Sequence, residues 1–418
     1  MAQLGNDCFA PGQNLMTTAD ALALIDRQVQ PVTTAERVPL TAARGRILAA
    51  DVQAQGNVPP YDNAAVDGYA YRHADLKPGA KTTFPVIGRA AAGHPWKDPV
   101  ERGQAVRIFT GAVMPPDLDT IAMQEDCTAD ENAVTIPTGL AKGANCRRAG
   151  EDLVADSRVL TAGQVLRPQD VGLAAAAGLS RVTVQAPLRV TVFSTGDEVR
   201  DAGVPLPPGA IHDSNRYGLM ALLDGMGCRV RDLGILSDDL ETVTGALKDA
   251  ATSSDLILTS GGVSVGDEDH IRRAVEALGQ LHFWRLAIRP GRPLALGHVR
   301  NTAFAGIPGN PVAVMVTFMV FVRPIIRRLA GAGAQRPQRY PVSAAFSCRK
   351  KVGRREWIRA KLQGTSGDFP TASRFERDGA GILTSMVESD GLIELSEEVA
   401  QVTPGDIVPF LPYSEVLT

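Results

Sequence analysis

Apolar positions recur along the chain with two different periods, and the places where the period changes outline its organisation. Near the start, Leu22, Ile25 and Val29 fall at helical spacing behind Thr17 and Thr18, either of which can cap the free N–H groups. A helix is therefore predicted over 18–29, with Pro31 marking its end. From 57 to 151 the pattern shortens to β-type runs at 82–87, 105–109 and 133–136, separated by Gly, Pro and Asp turns. An alanine-rich helix follows over 168–178 and is expected to pack back on the first helix, so that one domain draws on two separated stretches. Between 187 and 330 apolar strands, at 189–193, 229–235, 256–259, 283–288 and 302–305, alternate with helices at 216–226, 240–251 and 267–278 and a long one from Pro311. Continuously apolar strands separated by helices predict a doubly wound parallel sheet. From 337 the chain returns to short strands, with turns at 364–368 and 404–406, which predicts a small β-barrel or sandwich.

The expected fold class is thus α/β and β multidomain. Its parts are a discontinuous linker domain at 15–53 plus 154–186, a β-rich domain at 54–153, an α/β domain at 187–336 and a C-terminal β domain at 337–418. Composition changes this picture little. Apolar residues at 44% and charged residues at 21% are close to the globular average, which excludes disordered, collagenous and disulfide-scaffold classes. Lys and Arg number 43 against 46 Asp and Glu, a net charge of -3 that gives no overall attraction to nucleic acid or anionic lipid. Any basic site must be local. The five cysteines lie far apart with no CxxC pair, which fits a reducing cytoplasm. No two of the six histidines lie within five residues of each other, so a metal here would be held by oxygen. The longest apolar run, 312–322, is about half the ~20 residues that span a bilayer, and no basic segment followed by an apolar core opens the chain. Neither export nor a membrane span is expected.

The candidate chemistry gathers after strands. STGDE (194–198), DSN (213–215), SDD (237–239), TSGGVSVGDED (259–269), RPGRP (289–293) and IPGNP (307–311) each follow a predicted strand, so they are expected to meet on one rim, where such sheets bind ligands. Gly261, Gly262 and Gly266 let a ligand approach the backbone, and a helix starting near Asp267 offers unpaired N–H groups to an oxyanion or phosphate. The same loop also reads as a plain strand-to-helix turn. Arg285, Arg289 and Arg292 can hold a tetrahedral oxyanion through paired N–H donors. Glu198, Asp238 and Asp269 stand on three other loops; singly each reads as a helix cap, while together they suit Mg²⁺, which takes one or two protein oxygens plus phosphate and water. GVSVG (262–266) matches the G-x-S-x-G nucleophile elbow with Ser264 as nucleophile. Two extra glycines before it and three acids after it argue against acyl transfer there. In the β-rich stretch, Asp67 before Gly68 reads as a turn residue, and Arg147 with Asp152 as a surface pair.

Taken in order, DNAAVDGYA, RIFTGAVMP, NCRRAGED, FSTGDE, TSGGVSVGDEDH, WRLAIRPGRP and GIPGNPVA resemble the successive signatures of molybdopterin molybdenumtransferases, relatives of the gephyrin E domain. The resemblance runs from about residue 59 to 313 and extends to the family's four-domain layout. It implies that adenylylated molybdopterin and molybdate are substrates, that AMP is released, and that a divalent metal such as Mg²⁺ assists. Asp67, Thr110, Arg147, Asp152, Glu198, Asp238 and Asp269 match family positions implicated in function, with Glu198, Asp238 and Asp269 as candidate metal ligands. Ser260, Gly261, Gly262, Ser264 and Gly266 would hold the pterin phosphate, and Pro308 and Pro311 would shape the neighbouring loop. The resemblance also implies an elongated homodimer in which Asp67 of one subunit meets Asp269 of the other, and supply of substrate by an upstream molybdopterin adenylyltransferase. Arg285, Arg289 and Arg292 stand where the family commonly has lysine, which preserves charge but not geometry. Ala64, Val66 and Ala149 are further departures, and none removes a carboxylate. Two other readings are a pterin-binding scaffold without turnover, as gephyrin relatives partly are, and a serine hydrolase using Ser264.

Overall fold

The structure is a computed structural model that describes residues 15–261, 270–333 and 335–417. At its centre a six-stranded sheet runs in the order Arg229–Leu236, Arg189–Thr195, Leu256–Ser260, Thr302–Ile307, Pro293–Val299, Gly279–Arg285. The first four strands are parallel. Leu256–Ser260 is buried along its whole length because both faces are covered. Alternate side chains enter two separate cores: Val190, Val192, Leu256 and Leu258 pack with Leu219 and Leu223 on one face, and Phe193, Ile257 and Phe304 pack with Val243, Leu247 and Ile271 on the other.

The last two strands depart from the parallel sheet that the sequence pattern predicts. Gly279–Arg285 pairs antiparallel with Pro293–Val299, which pairs antiparallel with Thr302–Ile307. The pattern predicts one strand over 283–288 and none at 293–299. A hairpin needs no crossover helix, so the strand–helix alternation that signals parallel pairing stops here. The apolar run after Pro311 is a buried core helix in three parts: Pro311–Thr317, a π-turn at Phe318–Val322, and Arg323–Leu329. Among the described residues no helix is long and apolar enough to cross a membrane.

The C-terminal strands form a closed five-stranded barrel. Arg355–Ser366 pairs with both Phe369–Arg374 and Gly391–Leu395, and Tyr340–Ala344 and Ile407–Pro412 complete the ring. The barrel is fused to the central core. Ile288 and Arg289 pair in parallel with Arg355 and Glu356, and Trp357, Leu392 and Leu411 pack in the same cluster as Trp284, Leu286 and Ile288.

In the β-rich part a six-stranded sheet is built around Gly68–Tyr71, Ala105–Ile108 and Thr82–Ala90. Gly68 permits the tight pairing beside Asp67, since a Cβ there would lie 2.0 Å from the Ala122 carbonyl oxygen. Ala35–Pro39 pairs with Arg181–Gln185, and Val52–Gln53 with Arg158–Leu160, tying chain segments before and after this sheet together.

The two helices near these segments do not make the contact expected of them. Thr18–Gln28, capped by Thr17, buries Ala21 and Ile25 and packs on Arg323–Leu329. Pro168–Ala176 packs instead on Arg158–Leu160 and Leu40–Ala42. The reason is that its apolar side chains are taken up by a different core, where Val171, Leu173 and Ala174 pack with Leu160, Leu166 and Val184.

Trp357 is 2% exposed at the junction of barrel and α/β core. Trp357→Ala is expected to cost about 3–5 kcal/mol by leaving a cavity there. Denaturant titration followed by far-ultraviolet circular dichroism is the check, and the loss should show as a lower midpoint of the whole transition.

Candidate active site

The four parallel strands point the same way, so the turns that follow them collect at one edge of the sheet. Gly279–Arg285 runs in the same direction, which brings RPGRP to that edge as well. The strand ends are cross-linked by side chains. Asn215 Nδ2 donates to Ser260 Oγ at 2.9 Å and to the Gly309 carbonyl at 2.6 Å, and Ser260 Oγ donates to the Pro308 carbonyl at 3.3 Å. Pro311 opens the helix behind this loop, where its missing N–H costs nothing. Glu198 stands on the turn after Arg189–Thr195. Gly196 makes that turn possible: its φ is +141°, and a Cβ there would lie 2.8 Å from Glu198 Oε2.

Between this rim and the barrel lies a cleft of about 980 Å³. From the α/β side it is lined by Glu198, Gly261, Arg285, Arg289, Arg292 and Pro308. The barrel adds Arg349, Arg354, Arg359 and Arg374. Seven guanidiniums therefore face only three lining carboxylates, Glu198, Glu356 and Asp378, among the described residues. Glu356 is buried, accepts from Arg354 Nε at 2.7 Å and Arg289 Nη1 at 3.4 Å, and so joins the two walls. Arg359 is 7% exposed and donates to Ser385 Oγ, and burial pushes its guanidinium below its ordinary pKa. A desolvated cation of this kind favours an anionic guest. The barrel arginines are the part that the motif reading missed. For Arg354 and Arg359 the signal is the basic run KKVGRREWIR within a chain of slight negative charge.

Other sequence-predicted residues lie elsewhere. Asp238 is on the exposed turn after Arg229–Leu236 and does not line the cleft. The cap of the following helix is its neighbour Asp239, which accepts from Thr242 N and Ser237 Oγ and is lowered to about 2 by the Thr242 N–H above all. Asp67, Thr110, Arg147 and Asp152 belong to the β-rich part and do not line the cleft of their own chain. Asp67 Oδ1 accepts from both Thr110 N at 2.8 Å and Thr110 Oγ1 at 2.7 Å, and these two donors, the backbone one first, hold its carboxyl below the usual range. Arg147 and Asp152 do not pair; the ion pair of that stretch is Arg148 with Asp62 at 2.6 Å. One residue of register decides this, because Arg147 is in strand pairing with Asn63 while Arg148 turns toward the Asp62 side. Gly262, Ser264, Gly266 and Asp269, and with them the nucleophile-elbow reading, lie outside the described residues.

The carboxylates here are hard oxygen donors suited to Mg²⁺, and among the described residues no three acidic, histidine or cysteine side chains converge. Such a site would complete its shell with phosphate and water, with Glu198 the one sequence-predicted ligand among the described residues that lines the cleft.

A doubly wound domain with a basic cleft at the carboxyl edge of its strands defines a binder of a phosphorylated or oxyanionic small molecule. Family models narrow the class. The MoeA N-terminal region (domain I and II) matches residues 16–178, the probable molybdopterin binding domain matches 191–328, and the MoeA C-terminal region (domain IV) matches 341–413. The chain is 36% identical over 405 residues to the molybdopterin molybdenumtransferase of Haemophilus influenzae, covering 96% of this chain and all of that one. It is 34% identical to molybdopterin molybdenumtransferase 2 of Mycobacterium tuberculosis, covering 91% of this chain and 94% of the relative. The crystal structure of the molybdopterin biosynthesis moeA protein from Pyrococcus horikoshii OT3 superposes with a TM-score of 0.83 at 28% identity, covering 96% of this chain and 100% of that one. The chain belongs to the molybdopterin molybdenumtransferase family, enzymes of molybdenum cofactor biosynthesis.

The Asp67–Thr110 pair carries a pH consequence. Thr110→Val removes one of two donors to the ionised carboxylate, so the Asp67 pKa should rise toward its ordinary value. An NMR titration of the Asp67 carboxyl is expected to show its midpoint moved up in the variant, where the wild-type group titrates below the usual carboxylate range.

Proposed function

We propose that the cleft receives adenylylated molybdopterin, that molybdate enters beside it, and that hydrolysis of the pyrophosphate link releases AMP as molybdenum is left on the dithiolene. The excess of guanidiniums over carboxylates in the cleft is the observation that carries this reading, since both substrates are oxyanions. Arg285, Arg289 and Arg292 hold oxyanion oxygens from one wall, and the barrel arginines from the other. Ser260 and Gly261 lie at the end of a central strand, where the backbone faces the pterin phosphate. Asp67, kept ionised by Thr110, orients the attacking water or the reacting phosphoryl group from a neighbouring subunit. Glu198, with Asp269 as a further candidate, would hold a Mg²⁺ ion, which would supply polarisation of the phosphoryl oxygens when bound. The position of Asp67, Thr110, Arg147 and Asp152 outside the cleft of their own chain supports a homodimer with a composite site. The cysteines described are all free, which supports a cytoplasmic setting, and the substrate comes from a molybdopterin adenylyltransferase acting upstream.

Incubation of the purified protein with adenylylated molybdopterin, Mg²⁺ and molybdate is expected to release AMP in step with molybdenum transfer. Tight binding without AMP release would leave a scaffold. The composite site has its own test. Asp67→Asn and Glu198→Gln should each fall roughly 100- to 1,000-fold but stay measurable, while the two co-expressed should regain about a quarter of wild-type activity, because half the dimers then carry one intact site. No recovery would place both residues in the site of a single chain.

A further inference from the structure

The turn that bears Glu198 is the start of an exposed loop whose two feet are paired: Val199 with Ile211 and Arg200 with His212. Ile211 N donates to the Glu198 carbonyl at 2.8 Å, and Asp213 N donates to the Arg200 carbonyl at 2.8 Å. Between the feet runs AGVPLPPGA, residues 202–210, most of which is exposed. Nothing in this stretch enters the apolar cores of the α/β part. Arg200 Nη1 fastens the turn itself by donating to the Asp197 and Val199 carbonyls at 2.8 and 2.7 Å, and His212 Nδ1 meets the Asp201 carbonyl at 3.1 Å, while a buried side chain anchors the loop from below. Arg216 is 2% exposed; its Nη2 donates to Asp201 Oδ1 at 2.7 Å and its Nε to Asp213 Oδ2 at 3.0 Å, while Nη1 donates to Asp232 on the edge strand of the sheet. Asp201 and Asp213 are the residues just inside and just beyond the paired feet. A single guanidinium therefore ties the base of the loop on both sides and fixes it to the helix start and the sheet. Tyr217 Oη adds a second bond to Asp201 at 2.7 Å.

We propose that Arg216 is the positioning residue for Glu198, acting through Asp201 and Asp213 to hold the Glu198 turn over the cleft. The structural logic is geometric. Glu198 is exposed and reaches the cleft from a turn with little apolar anchoring, so its carboxylate is only as well placed as the base of its loop. Asp213 cannot serve as the probe, because it is buried and caps the helix, and removing Arg216 itself would leave that carboxylate buried without its partner. Asp201 can, because its side chain is 51% exposed and its removal leaves the buried Arg216 still paired with Asp213 and Asp232.

This inference rests on Glu198 taking part in the reaction, and the experiment separates the two. Molybdenum transfer by Glu198→Gln, Asp201→Ala, Asp201→Asn and the double variant Glu198→Gln/Asp201→Ala would be measured beside thermal melting. Asp201→Ala is expected to lower kcat about 10- to 100-fold with KM changed less than about threefold, as for a displaced catalytic group. Its melting temperature should stay close to wild type. Asp201→Asn keeps an oxygen acceptor and should restore most of the rate. The double variant should be no slower than Glu198→Gln alone, because a residue that works through Glu198 has nothing left to position. Wild-type kcat in Asp201→Ala, with Glu198→Gln slowed as expected, would overturn the positioning role and leave Glu198 in place. Losses that multiply in the double variant would also overturn it. Wild-type turnover in Glu198→Gln would remove the role of Glu198, and the inference with it.

Discussion

Mutual repulsion among guanidiniums across one cleft is the constraint on which the rest of this molecule depends. Two like charges about 8 Å apart repel by roughly 2 kcal/mol at an effective dielectric of about 20. The seven arginines and three carboxylates that line the cleft among the described residues cannot be gathered unless the walls that carry them are held together by something else. The apolar junction does this: Trp284, Leu286 and Ile288 from the α/β side and Trp357, Leu392 and Leu411 from the barrel form one cluster. Glu356 helps by meeting Arg289 and Arg354 at the seam. An anionic guest relieves what repulsion remains, so folding stores an affinity for oxyanions that binding releases.

Arginine at 285, 289 and 292 fits that seam. An ammonium is a compact point charge, whereas a guanidinium presents several donors in a plane and can meet a carboxylate with one nitrogen and an oxyanion with another. Arg289 uses Nη1 toward Glu356 while its main chain pairs with the same barrel strand. The positive charge is thus retained at the rim and also used to fasten the barrel. The anionic turns are arranged differently. Asp239 and Asp213 serve as helix caps, which leaves Asp238 and Glu198 outside the capping role that their sequence positions also allow.

Much of the α/β part was legible in the sequence because its signals are local. Period-2 and period-3.6 runs marked the strands and helices, and chain direction then required the polar turns after parallel strands to share an edge. The misreadings have the same origin. The strand Pro293–Val299 follows a proline- and arginine-rich turn and lacks a neighbouring helix, so nothing nearby announced it. The packing of Thr18–Gln28 against Arg323–Leu329 joins segments some 300 residues apart, and no local period reports such a partner.

The amino-acid order by itself determined the succession of domain types, the collection of Glu198, Ser260, Gly261 and the three RPGRP-region arginines at one rim, and the family resemblance. These follow from short-range spacing and from the geometry of parallel strands. Only the tertiary structure decided that the C-terminal strands close into a barrel, that Arg349, Arg354, Arg359 and Arg374 form the second wall, and that Asp67 stands apart from the cleft of its own chain. Those outcomes depend on which surfaces dock. Docking is set by the summed burial of residues distant in the chain, a quantity that no local pattern contains.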